Sequence, residues 1–397
     1  MPKPPTKKQK KLTGADGPTT KVQPLRVYTL PIEQHHLLTI TPTTSEQKLR
    51  LHPYSNSRLT AMNQCPTWGV VSAQKRYPSS ARSMALEAGA LMHEIFAATR
   101  IWQLHRRQRL PLHATAVAQR LFGSAKTEPS YFDQQFDTNR WHKCWRASEG
   151  SKDERESLMV LAWEMLRSSG FKDNVDDDVR TIDSMELASI AYIDEVLPRM
   201  ENFEIFVSDR LNAGAIVGIE NVFDVVLTYD DERQFRFIGT LDGLTWDHAN
   251  KQYTLEDNKT ASRLDAGWKA MFQLSHQVTG YLACAAAIYG FDIYNARILG
   301  SKIKPSNRGE DIWPIYTRRN SEQFQRWAFW FRHTAEEFER YKDHYEYAPR
   351  YTHSCNRYFR PCSLMPFCGD TFEGRLEQWE QMVTAKQSPS ELAAGEE

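Results

Sequence analysis

Four consecutive segments between residues 203 and 260 constrain this chain most: FEIFV, AIVGIENVFDVVLTY, QFRFIGTLDGLTW and QYTLEDNKT. Each alternates apolar with polar residues and is rich in β-branched and aromatic types, a period of two that predicts strands. The polar stretches at 230–232 and 247–251 predict turns, so neighbouring strands pair as hairpins. A helical pattern over 265–289, closed by Gly290, follows. Further strands are predicted near 291–304 and 312–318, then an aromatic-rich helix over 321–347 with Phe324, Trp327 and Phe331 on one core-facing stripe. Upstream, residues 27–60 read as short extended pieces. Residues 80–107 read as a helix, with Leu86 and Ala90, and then Leu91, Ile95 and Ala98, at helical spacing. The predicted class is α/β, a mixed central sheet flanked by helices.

The 397 residues leave room beyond that sheet. At roughly 150 residues per domain, the length suits two or three domains or one elaborated domain. A hydrophobic share of 41% excludes a disordered or fibrous chain. Residues 1–26 carry seven Lys or Arg against Asp16 and read as a disordered basic arm, either a solubilising tail or a loose phosphate contact. Because Lys+Arg and Asp+Glu are both 50, the rest of the chain is net acidic. A globally polycationic packing protein is excluded, and any polyanion site must be a focused patch. The stretch 108–200 reads as a helical insertion carrying Trp141, Trp145 and Trp163, the first two candidates either for core packing or for stacking on single-stranded bases. Its acidic residues, Asp173, 176–178 and Asp183, read as a solvated face. Residues 373–397 read as a tail. No secretory signal is evident, and the apolar run 281–291 is too short to span a bilayer. A reducing compartment is expected, in which the six cysteines are not three disulfides.

The chemistry concentrates at two acids and a lysine. Asp242 ends one predicted strand, and Asp257 lies on the next. Asp257 and Lys259 are two apart and project from one strand face. A partly buried carboxylate pair either raises one pKa or recruits a cation, and Mg²⁺ suits hard oxygen ligands. The plainer alternative is an exposed hairpin with a surface ion pair. On the upstream helix, His93 offers an imidazole ligand, and Gly89 one turn earlier permits close approach. Downstream, Gln277 and Tyr281 share a helix face.

Gly89-x3-His93, Gly239-x2-Asp242, Asp257-x-Lys259-Thr260 and Gln277-x3-Tyr281 occur in that order on helix, strand, strand and helix. The set resembles the RecB-like branch of the PD-(D/E)XK nuclease superfamily over about 57–372, with 108–200 as a non-matching insertion. The resemblance implies a restriction-endonuclease-like core made of 27–107 and 201–372. It implies Mg²⁺ or Mn²⁺ held by His93, Asp242 and Asp257, with Lys259 as the catalytic lysine and Gln277 and Tyr281 supporting the site. Glu220 is a further acid of the kind often found there. Glu256 replaces Asp257 if a bulge shifts the register.

Cys355, Cys362 and Cys368 are grouped near the end, and Cys65 precedes the His93 helix. Clustered thiolates suggest a metal or an iron–sulfur cluster. The arrangement resembles that of iron–sulfur members of the family, which implies a [4Fe–4S] cluster on Cys65, Cys355, Cys362 and Cys368. Cys144 and Cys284 read as structural. The activity implied is a metal-dependent DNA exonuclease of a phage recombination or replication module, or a CRISPR-adaptation-like nuclease, cytoplasmic in a bacterial or infected cell. DNA is the implied partner, with a recombination or replication protein as a second; no membrane association is expected. The competing readings are a non-catalytic DNA-binding or assembly subunit with the same fold, and an unrelated zinc protein.

Overall fold

The computed structural model describes residues 28–29, 38–73, 84–108, 138–173, 180–208, 216–303 and 311–351, with scattered positions to 377. The basic arm, residues 109–137, the acidic residues 176–178 and nearly all of the tail lie outside the described residues.

The N-terminal elements are short: strands β1 (Tyr28–Thr29) and β2 (Thr39–Pro42), helix α1 (Ser45–Arg50), strand β3 (Pro53–Tyr54), and helices α2 (Asn56–Gln64) and α3 (Pro66–Ala73). Helix α4 (Met84–Arg106) follows. The described part of the expected insertion is helical: α5 (Thr138–Glu149), α6 (Glu154–Arg167) and α7 (Ile182–Val196). The strand-rich block forms β4 (Phe203–Ile205), β5 (Ile219–Thr228), β6 (Gln234–Asp247) and β7 (Gln252–Ala261). Helices α8 (Ala266–Gln273) and α9 (His276–Tyr289) lead to β8 (Asn295–Lys302), β9 (Ile312–Arg318) and α10 (Ser321–Tyr341). A small hairpin, β10 (Asn356–Arg357) and β11 (Arg360–Pro361), comes last.

The sheet is mixed and mostly antiparallel, in the order β1-β2-β5-β6-β7-β8-β9, with β3 and β4 also paired to β6. The β7–β8 and β3–β6 pairs are parallel. Parallel neighbours need a long crossover, and α8 with α9 supplies it between β7 and β8. Helices cover both faces. On one, Phe223, Val225, Phe237, Leu255 and Ile298 pack with Leu282 of α9 and Trp327 and Phe331 of α10. On the other, Ile219, Leu299 and Ile303 pack with Leu91, Ile95 and Trp102 of α4 and with the insertion helices. Trp141 and Trp145 belong to that second core, buried and stacked on each other at 5.5 Å. Of the two readings of these residues, core packing is the one found.

The pattern read as one helix over 265–289 breaks after Gln273. Asp265 caps α8, and Ser275 caps α9 by accepting from the Val278 N–H. The guanidinium of Arg319 fills the elbow, donating to Phe272 O at 3.0 Å and Thr279 Oγ1 at 2.8 Å. Gly290 ends α9 at φ +76°, the left-handed cap that glycine tolerates. The helix expected over 321–347 ends at Tyr341, before a short 3₁₀ turn at Tyr345–Tyr347.

Candidate metal centre

Helix α4 carries His93 onto the sheet. It lies close to β7 because Gly89 has no side chain: a Cβ there would sit 3.2 Å from Thr260 Oγ1. In the β5–β6 register Ile219 faces Gly243 and Asn221 faces Leu241, so Glu220 falls opposite Asp242. Strand alternation reverses here. Phe223, Val225 and Leu227 face the first core, while Ile219, of the same parity, faces the second. On β6, Phe235, Phe237 and Leu241 face the first core, and then Leu244 does. The reversal is made by Glu220, at φ +46°, a left-handed backbone that a non-glycine residue holds at a cost of about 1–3 kcal/mol. The kink gathers one imidazole and two carboxylates. Ligand atoms of His93, Glu220 and Asp242 all lie within 4.8 Å of one another, and His93 Nδ1 is 3.5 Å from Asp242 Oδ2.

Beside this group, β6 and β7 part. Their pairing ends at Gly243 and Glu256, one residue short of Asp242 and Asp257. The Asp242 side chain fills the gap, with Oδ2 accepting from the Asn258 N–H at 2.7 Å. Asp257 is buried, and its Oδ1 is 2.7 Å from Lys259 Nζ. Its Oδ2 is buried with no hydrogen-bond partner among the described residues. Burial pushes the Asp257 carboxyl up, Lys259 pulls it down, and Asp242 adds to the rise, leaving it at about 6. Burial opposes the charge on Lys259, but Asp257 and Asp242 outweigh it and raise the ammonium pKa. From α9, Tyr281 comes near Lys259 and is hydrogen-bonded to Gln277; burial pushes its hydroxyl up to about 12.

His93, Asp242, Asp257, Lys259, Gln277 and Tyr281 thus meet in one place. Glu220 joins His93 and Asp242 in the tight group, and Asp257 lies beside it with Oδ1 on Lys259. A divalent cation fits these donors. Three carboxylates gather near the Lys259 ammonium and the Arg100 guanidinium, and the latter is engaged by Glu256; a buried carboxylate oxygen without a partner among the described residues is the kind of orphan a cation would satisfy. His93, Glu220 and Asp242 would hold the ion.

Glu256 does not serve the centre. It points to the opposite face of β7, where Arg100 donates to its Oε2 at 2.9 Å, and Arg297 and Thr245 engage Oε1. Burial alone would raise its pKa; Arg297 and Arg100 override that and hold it below the ordinary carboxylate value. The shifted-register alternative is therefore corrected. Arg100 was not singled out in the sequence, although a signal was there: a lone charge within the apolar stretch FAATRIWQL, seven residues after His93.

All six cysteines are free thiols. Cys65 sits at the end of α2, and Cys362 and Cys368 pack against the first core. Burial raises the Cys368 thiol, Arg350 lowers it, and Cys65, Cys362 and Cys355 each add to the rise, so the other three thiols all lie near enough to act on it. Among the described residues, these sulfurs form no group as tight as the His–Glu–Asp one. Cys144 and Cys284 are buried elsewhere, as expected of structural residues.

No protein-family model matches the chain, and no curated protein matches its sequence. Among the described residues, no helix is long and apolar enough to cross a membrane.

Proposed function

We propose that this chain is a divalent-metal-dependent deoxyribonuclease, an exonuclease built on a restriction-endonuclease-like core of the RecB-like kind. The observation that supports it most is the meeting of His93, Glu220 and Asp242 beside a buried Asp257–Lys259 pair. When bound, Mg²⁺ or Mn²⁺ would neutralise phosphate charge and lower the pKa of a water. The remaining roles belong to the chain. Lys259 keeps its proton because two acids flank it, and so presents a fixed ammonium to an attacking water or a phosphate oxygen. Asp257 holds that ammonium in place, and Tyr281, itself held by Gln277, lies nearby. Water adds to phosphorus and releases one proton to solvent, the P–O bond to the leaving 3′ oxygen breaks, and that oxygen takes up one proton from solvent. The Cys65, Cys355, Cys362 and Cys368 thiols would carry the proposed [4Fe–4S] cluster, a structural tie between the two ends of the folded chain.

The test is cleavage of linear DNA labelled at the 5′ or the 3′ end, beside a closed circle, with Mn²⁺ or Mg²⁺. The proposal expects metal-dependent loss of label from linear DNA, a spared circle, and no cutting by Asp242→Asn or Lys259→Ala. Cutting that survives both substitutions would falsify it. Anaerobic purification that yields colourless, iron-free protein would remove the cluster.

A further inference from the structure

We infer that Arg100 is a positioning residue that sets how tightly the candidate centre binds its divalent ion, acting through the backbone of Asp242 and touching neither ion nor substrate. The inference rests on the metal-centre reading above. Arg100 lies seven residues after His93 on α4, two turns along the same helix face. One helix therefore supplies both an imidazole and the brace for the facing carboxylate.

Asp242 lies at a break in the regular register: it is skipped in the pairing of β6 with β5 and again in the pairing with β7. At such a break a fixed donor to the buried carbonyl helps to define the backbone. Arg100 Nη1 donates to the Asp242 carbonyl oxygen. The orientation of the guanidinium is fixed from its other end. Nη2 is held by Glu256, whose second oxygen is taken by Arg297 and Thr245. The sequence leaves space for this contact next to the ligand. Position 243 is glycine, and a Cβ there would fall inside the Arg100 guanidinium. Arg100 itself is only 5% exposed. A buried ion cluster is weak evidence of added stability. Its placement against the backbone of one ligand, with the neighbouring side chain omitted, is what a positioning role requires.

The test uses Mn²⁺ alone as the probe, titrated into the full chain by calorimetry, with circular dichroism to establish folding. Four substitutions are compared with the unaltered protein. Arg100→Lys keeps the charge but cannot donate in two fixed directions, and Gly243→Ala displaces the guanidinium without removing it. Each is expected to weaken Mn²⁺ binding by about 10–100-fold. Arg297→Gln disturbs the same buried cluster but leaves both Arg100 contacts in place, so it should lower the melting temperature and weaken Mn²⁺ binding far less than Arg100→Lys does. Asp242→Asn should abolish binding. If the unaltered protein binds no Mn²⁺, or Asp242→Asn binds it equally well, the metal-centre reading fails and takes this inference with it. If Asp242→Asn loses the ion while folded Arg100→Lys and Gly243→Ala keep full affinity, the role of Arg100 alone is overturned. A loss with Arg297→Gln as large as with Arg100→Lys overturns it too, because general loosening would then explain both.

Discussion

Lys259 Nζ lies 2.7 Å from Asp257 Oδ1, while Oδ2 of the same carboxylate is buried with no hydrogen-bond partner among the described residues. One oxygen fixes the lysine, and the other is open to a cation or a substrate water. Under the proposed function, Lys259→Met should lower single-turnover cleavage by about 10²–10³-fold, the range seen when one charge-stabilising donor is lost. DNA binding, measured in Ca²⁺ to suppress cleavage, should change little. Lys259→Arg should not restore the rate, because a planar fork cannot replace a compact ammonium.

The left-handed backbone at Glu220 gives a second prediction. Glu220→Gly relieves the strain, so in chelator the urea midpoint should rise, by about 1 kcal/mol of stability. The same change removes a ligand. Mn²⁺ at a hundred times its dissociation constant should stabilise the unaltered protein by about 2.7 kcal/mol and the variant by much less. Paired melts with and without Mn²⁺ measure both effects.

Arg319 is buried with no carboxylate among its hydrogen-bond partners, and burial lowers its pKa. It bonds across the α8–α9 elbow, ahead of Gln277 and Tyr281. Arg319→Met should remove the hydrogen bonds of the guanidinium to Phe272 O, Thr279 Oγ1 and Thr317 Oγ1 and cost about 2–4 kcal/mol. Denaturant unfolding measures the loss. Arg319→Lys should recover only part of it.

His52 sets part of the acid limit of stability. Its ring stacks on Phe338 at 4.7 Å; burial, then Arg58, lowers its pKa to about 4. The unfolded chain protonates this ring near pH 6.5. Between pH 6.5 and 4 the unfolded state therefore binds more protons, and stability falls as the pH falls through that window. His52→Gln should flatten this part of the urea-midpoint profile and leave the profile above pH 7 parallel to that of the unaltered protein.

The strands from 203 to 261 and the shared face of Asp257 and Lys259 were legible because each rests on a period of two. Gly290 was legible as a helix end because only glycine readily takes that cap. The elbow at Leu274 was hidden, since neither glycine nor proline marks it and a serine such as Ser275, though a favoured cap, also occurs inside helices. Glu220 was named only through the family resemblance; its approach to His93 and Asp242 rests on a reversal of strand phase at a backbone torsion that no local composition announces. Arg100 escaped notice because its partners lie 142 and 156 residues away, a relation only the fold creates.

Asp242 sits on the best-connected strand of the sheet. Strand β6 pairs with β5 and then β4 along one edge, and with β3 and then β7 along the other. Amides in such a strand exchange with solvent mainly through opening of the whole domain, whereas those of the short terminal elements exchange by fraying. Deuterium should therefore enter β6 last, and the carboxylate it carries should hold its place while the edges of the molecule breathe.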